Sequence, residues 1–286
     1  MFPVLLGLAA ATCWSIHDMF TGRMTRLLGP VATAFVVMLA GAFLLLPIVL
    51  WRGHIWQADL AGTMQALALG VAYALGMAAL FKAFHLAPVS VVGPLTAGYP
   101  ALVVIWGVVH GLQPTALQWA AVAVTIAGAV IVGRLAHQED EGATLDPARM
   151  PEVALASVIA SVGFAAAVIL GQDAAVALGE YEATFVSRFS AALCLLPFLE
   201  TKLGALRRVT RLPWGIFIMA AMDVAALTMI NAAGHLPGKE YAAMGISAYG
   251  AIAVVLAMVF LGERVARGQW LGIAMIVSGV TVLALP

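Results

Sequence analysis

The sequence predicts an all-α integral membrane protein of ten transmembrane helices, arranged as two inverted five-helix repeats. Three observations carry this. First, the chain repeats itself at a spacing of 150 residues: Leu46-Pro47 returns as Leu196-Pro197, Phe35-Val36 as Phe185-Val186 and His85-Leu86 as His235-Leu236. Second, the 286 residues are 63% hydrophobic and 10% charged, against roughly 45–50% and about 25% in soluble domains. A soluble globule of this size cannot hide so much apolar surface. Third, ten segments approach the roughly 20 apolar residues that a membrane helix needs.

The first segment, 3–21, opens MFPVLLGLAAATCW. It has no basic stretch and no cleavage site leading into a polar domain, so it reads as a membrane helix rather than a removable signal. Cutting at polar or Gly/Pro-rich breaks gives 31–51, 63–86, 88–109 and 116–133 as the rest of the first half. The longest polar stretch, Arg134 to Pro151 (RLAHQEDEGATLDPARMP), reads as a solvated linker. The second half follows as 152–171, 182–199, 213–235, 240–261 and 268–285. Near the ends the offset becomes 151: Gln118-Trp119 returns as Gln269-Trp270 and Gly128 as Gly279. One indel between Tyr99 (paired with Tyr249) and Gly111 (paired with Gly262) explains the change. The repeats are therefore 1–137 and 150–286, joined by 138–149. Five spans per half is an odd number, so the second copy must enter the membrane from the opposite side. Inverted repeats of this kind are a transporter architecture, with the site near the midplane between the halves.

Lys and Arg prefer cytoplasmic loops. The odd-numbered connections hold Arg23, Arg26, Arg134, Arg149, Lys202, Arg207, Arg208, Arg211, Arg264 and Arg267; the even ones and the termini hold only Arg52 and Lys239. This bias places both termini outside a cytoplasmic (inner) membrane. A formal charge of zero argues against nucleic acid, which needs a basic face. Cys13 and Cys194 stand singly in apolar runs, so no disulfide framework, metal cluster or cofactor is expected. The expected partners are a small-molecule substrate and the lipid bilayer. Gly107-x-x-x-Gly111 and Gly268-x-x-x-Gly272 fit close helix contact, within a monomer or between two copies.

The run Leu261-Gly262-Glu263-Arg264, then Gln269-Trp270-Leu271-Gly272 and Gly279-Val280, resembles the end of an EamA-type repeat of the drug/metabolite transporter superfamily. Gly111-Leu112-Gln113-Pro114 with Gln118-Trp119 and Gly128 looks like the same element, with Gln113 in the usual glutamate place. Ala10-Ala11-Thr12-Cys13-Trp14-Ser15 resembles that family's first helix, and Ser187-Arg188-Phe189 through Pro197 its second, where Met38 replaces the arginine in the first copy. The resemblance spans nearly the whole chain. It implies a ten-helix secondary transporter of small metabolites, often an exporter, and, against the charge bias, cytoplasmic termini in many members.

Ionisable groups inside a membrane are functional candidates by default. Asp223 lies near the middle of the eighth segment, too deep to snorkel, and is the deepest carboxylate with no second acid at comparable depth. Such a group can carry a proton unless a cation sits close by; the alternative is a protonated acid bonded to a neighbouring helix. Asp18 falls one turn after Trp14, so both can face one cavity. A ring beside a carboxylate suits an amine, though Asp18 lies only a few residues from the helix end, where an interfacial ion pair with Arg23 is the favoured alternative. Lys82 is near enough to a helix end to snorkel, or it neutralises a buried aspartate or an anionic substrate. Arg188 lies inside its helix and either pairs with an acid across the bundle or binds substrate. Tyr99 and Tyr249 are repeat partners in segments rich in Gly and Pro or Ser (Pro94, Gly98, Pro100; Gly245, Ser247, Gly250), where helices can break and act as hinges. Tyr73 is the repeat partner of Asp223, and Asn231 lies two turns beyond it.

The predicted substrate site is Trp14, Asp18, Tyr73, Tyr99, Asp223 and Tyr249, with Asp223 the proton-coupling group and Lys82, Arg188 and Asn231 as further intramembrane polar residues. The substrate expected of such a cavity is a small amphiphile such as an amino acid or amine. An enzyme is disfavoured because no H-E-x-x-H, G-x-S-x-G, phosphate loop or metal-spaced Cys/His set occurs. An uncoupled facilitator and a non-transporting membrane scaffold or sensor remain the alternatives.

Overall fold

The computed structural model describes residues 2–54, 59–86, 96, 99–135, 147–199, 213–261 and 267–284. Among them every regular element is helical: α1 (Phe2–Leu28), α2 (Pro30–Arg52), α3 (Leu60–Leu86), α4 (Tyr99–Val109), α5 (Ala116–Leu135), α6 (Met150–Leu178), α7 (Glu180–Leu195), α8 (Pro213–Ala232), α9 (Tyr241–Ile246), α10 (Tyr249–Leu256) and α11 (Arg267–Ala284). Among the described residues six stretches are long and apolar enough to cross a membrane: Phe2–Thr21, Val31–Arg52, Leu60–Leu80, Met150–Leu178, Trp214–His235 and Tyr241–Phe260. Tyr99–Val109, Ala116–Val132 and Gly268–Leu283 are shorter apolar helices. Large apolar side chains such as Phe43, Trp51, Leu155, Val162, Phe217 and Trp270 stand exposed on them, as expected of a surface solvated by lipid. The chain is an integral membrane protein.

Two glycines show how faithfully the repeat is built. Gly29 (φ 86, ψ 156) and Gly179 (φ 96, ψ 151) are repeat partners, and each takes the same positive-φ, extended-ψ conformation at the start of α2 and α7. A residue with a Cβ would be strained there. Pro30 then occupies the first turn of α2, where its missing N–H removes no bond.

The helices depart most from the predicted segments in three places. α1 runs seven residues past the expected end at 21, to Leu28. α6 runs seven residues past the expected end at 171, to Leu178. Its polar residues there are accommodated, since Gln172 Nε2 donates to the Lys239 carbonyl at 2.9 Å and Asp173 pairs with Lys239 Nζ. The segment 240–261 is broken: after α9 the Ser247 and Ala248 amides turn back to Met244 and Gly245 by i→i−3 bonds, α10 restarts at Tyr249, and a π turn covers Ala257–Leu261. The predicted segment 88–109 is described only at residue 96 and from Tyr99 onward. The linker residues 138–146, the loop 202–211 and Glu263 lie outside the described residues.

Packing is chiefly between the halves. α3 lies along α6 and α7, α1 along α8 and α9, α2 along α7 and α8, and α5 along α11. Small residues set these approaches. A Cβ on Gly128 would lie 2.7 Å from the Gly272 carbonyl oxygen, and one on Gly279 would lie 2.8 Å from that of Ala121. At the offset of 151, residue 128 corresponds to 279 and 121 to 272, so each contact is the other's counterpart. The largest apolar cluster gathers Met38, Leu69, Tyr73, Met219 and Leu227 from α2, α3 and α8, with Leu195 of α7. It surrounds the polar centre of the molecule.

Candidate functional site

Arg188 and Asp223 face each other from α7 and α8, both buried, with Arg188 Nη2 3.0 Å from Asp223 Oδ2. Nη2 also reaches the Asp223 carbonyl at 3.5 Å, and Nη1 meets the Met38 sulfur at 3.2 Å. The other carboxylate oxygen, Oδ1, accepts the Trp14 indole N–H at 3.1 Å and the Tyr73 hydroxyl at 2.9 Å. The guanidinium lies over the Tyr73 ring, 4.5 Å from its centroid. One carboxylate thus gathers donors from α1, α3 and α7. A buried charge needs such a set, because unpaired it would cost several kcal/mol.

An aromatic wall adjoins the pair. Phe164 of α6 sits between Tyr73 and Tyr99, with ring centroids 6.0 and 5.9 Å away. Across the helix break, Ser15 Oγ donates to the Tyr249 carbonyl at 3.2 Å. Ser15, one residue from Trp14, thus ties α1 to the start of α10.

Of the predicted residues, the structure brings Trp14, Tyr73 and Asp223 into direct contact, with Tyr99 linked through Phe164 and Tyr249 through the chain segment that Ser15 touches. The Asp18 side chain lies outside what the structure describes. Arg188 of α7 pairs with Asp223 of α8. It is also the nearby cation that qualified the proton-carrying reading of Asp223. Lys82 is not near that pair: its ammonium is exposed and bonds Glu152 at 2.9 Å, joining the ends of α3 and α6. Asn231 is fully buried and donates to Thr184 Oγ1 at 2.9 Å.

Sequence reasoning overlooked Glu182, which is as buried as Asp223 although it lies in the first turn of α7. Its Oε1 pairs with Arg52 Nε at 3.2 Å, and Arg52 in turn covers the Tyr181 ring at 5.0 Å. A glutamate in a first helical turn ordinarily reads as a surface residue favoured by the helix dipole. The one available signal was Arg52, an isolated cation on the poorly charged face. Phe164 carried no signal beyond its aromaticity.

A sequence search among curated proteins finds no match. A solved crystal structure is similar to this one with a TM-score of 0.78 at 16% identity, covering 98% of this chain and 96% of the other; at that identity the likeness shows a shared fold alone. The model of the EamA-like transporter family matches residues 1–134 and again residues 152–285. Matched once in each half, the chain belongs to the EamA-like transporter family.

Proposed function

We propose that the protein is a secondary transporter of a small amphiphilic metabolite, an amino acid or amine, working by alternating access between two inverted five-helix halves. The substrate binds between the halves against Trp14, Asp18, Tyr73, Tyr99, Asp223 and Tyr249. The observation that carries this is the meeting of both halves on one carboxylate: Trp14 and Tyr73 from the first, Arg188 from the second. Rocking the halves apart must rearrange those bonds, so a ligand that replaces some of them biases the equilibrium between states. The reciprocal contacts of Gly128 with Gly272 and of Gly279 with Ala121 support a twofold relation between α5 and α11.

Coupling follows from the same group. A proton on Asp223 cancels its attraction for Arg188, so protonation and substrate binding compete for one ion pair. The pair equally supports a second reading, uncoupled facilitation, because Arg188 neutralises Asp223 without any proton. Proteoliposome uptake of an amino-acid and amine panel identifies the substrate. Asp223→Asn, with the charge-neutral Arg188→Met/Asp223→Asn variant as a control for folding, is then expected to abolish uphill transport driven by a pH gradient and to spare counterflow exchange. Unchanged uphill transport rejects Asp223 as the coupling group. Transport unaffected by joint alanine substitution of Trp14, Tyr99 and Tyr249 rejects the placement of the site.

A further inference from the structure

α7 and α8 are joined by polar contacts on successive turns. The innermost is Arg188–Asp223. One turn along α7, Thr184 Oγ1 accepts from Asn231 Nδ2 at 2.9 Å and from Thr228 Oγ1 at 3.2 Å, and all three residues are buried. One turn further, Glu180 Oε2 lies 3.7 Å from His235 Nε2, with both side chains partly open to solvent. Positions 188, 184 and 180 share one face of α7, and 223 and 231 share one face of α8. Polar groups therefore run from the centre of the bundle to one of its ends.

The first half has no such series. Arg188, Thr184 and Glu180 correspond to Met38, Ala34 and Pro30, and Thr228 and Asn231 to Ala78 and Phe81. In a duplicated chain this one-sided replacement is not explained by helix packing, which the first half achieves with apolar residues. The series is also incompletely bonded: Asn231 Oδ1 and Arg188 Nε are buried with no hydrogen-bond partner among the described residues. Gly171 of α6 faces that Asn231 oxygen, and a methyl group there would collide with it. Buried polar atoms left without a partner are where internal water binds.

We propose that the α7–α8 interface is a one-sided aqueous path by which water and protons reach the Arg188–Asp223 pair from the Glu180–His235 end. It rests on the reading of Asp223 as a group that the transport cycle uses. The charge distribution of the loops places that end outside the cell. In the full chain with Cys13→Ala and Cys194→Ala, single Thr184→Cys and Thr228→Cys variants are treated with a small charged methanethiosulfonate in right-side-out and inverted vesicles. Ala34→Cys and Ala78→Cys, at the repeat-equivalent places, serve as controls. The reacting species is the thiolate, which forms where water reaches. The expected result is modification at 184 and 228 from one side only, about tenfold or more faster than at 34 and 78. Protection equal to that of the controls, or equal reaction from both sides, overturns the path. Thr228→Cys gives the same information where the better packed position 184 does not tolerate change. A failed coupling test of Asp223→Asn removes the coupling reading and leaves this labelling contrast standing, so the two failures are distinct.

Discussion

The Arg188–Asp223 pair predicts an asymmetry that a simple count of lost contacts does not. Both residues are buried, and their charges lie 3.0 Å apart. At an effective dielectric of about 20 the attraction is about 5–6 kcal/mol before desolvation is subtracted, and breaking a buried pair from one side costs about 3–5 kcal/mol. Asp223→Asn keeps an acceptor for Trp14 and Tyr73 but strands a guanidinium that cannot lose its charge. Arg188→Met strands a carboxylate that still receives both donors and that can neutralise itself by taking up a proton. Asp223→Asn should therefore destabilise by about 3–5 kcal/mol and Arg188→Met by roughly 1–3 kcal/mol. The double variant, which removes both charges and copies to position 188 the methionine of position 38, should fall short of the sum by about 2 kcal/mol or more. Unfolding titrated with SDS in mixed micelles and followed by circular dichroism closes this cycle. Arg188→Met as damaging as Asp223→Asn, or strict additivity, would refute the reasoning.

Three further outcomes are expected. Gly128→Ala should destabilise by about 1–3 kcal/mol through overpacking against α11, because its new methyl meets the Gly272 carbonyl, whereas Gly250→Ala, whose nearest neighbour is Val132 at 3.8 Å, should be neutral or stabilising in the same titration. Arg52→Met should lower stability by roughly 3 kcal/mol by leaving Glu182 buried without its cation, and adding Glu182→Ala, which copies the first-half residue Ala32, should recover most of the loss. Reporter fusions should place the linker 138–149 and the loop from Lys202 to Arg211 in the cytoplasm; the opposite result would show that the charge bias misreads this chain.

The repeat and the helical segments were readable because apolar length and a fixed offset are local properties of the text. Asp223 stood out because a carboxylate in mid-span has no inexpensive explanation. Its partner did not, since whether Arg188 meets Asp223 or a ligand depends on how α7 and α8 are rotated, which no single-helix pattern encodes. Lys82 shows the same limit: two helix ends brought together, rather than depth, decide that it meets Glu152. Glu182 escaped notice because burial in a first turn is a property of what packs over it. The interruption at Ser247 and Ala248 was foreshadowed by Gly245 and Gly250, although composition alone left open which bond would fail.

Met38 touches Arg188, and Tyr73 touches Asp223. Each is a residue in contact with its own duplicate, 150 positions away. Such places cannot evolve as ordinary copies. Two arginines there would set like charges against each other, and so would two aspartates, at contact distance between buried side chains. What stands opposite each charge is instead a group that can shelter it: a polarisable sulfur for the cation, a phenol for the anion. Divergence at these two positions is therefore a condition of having a charged centre at all, and substitutions at 38 and 73 should be constrained by what stands at 188 and 223 rather than by their own neighbours in sequence.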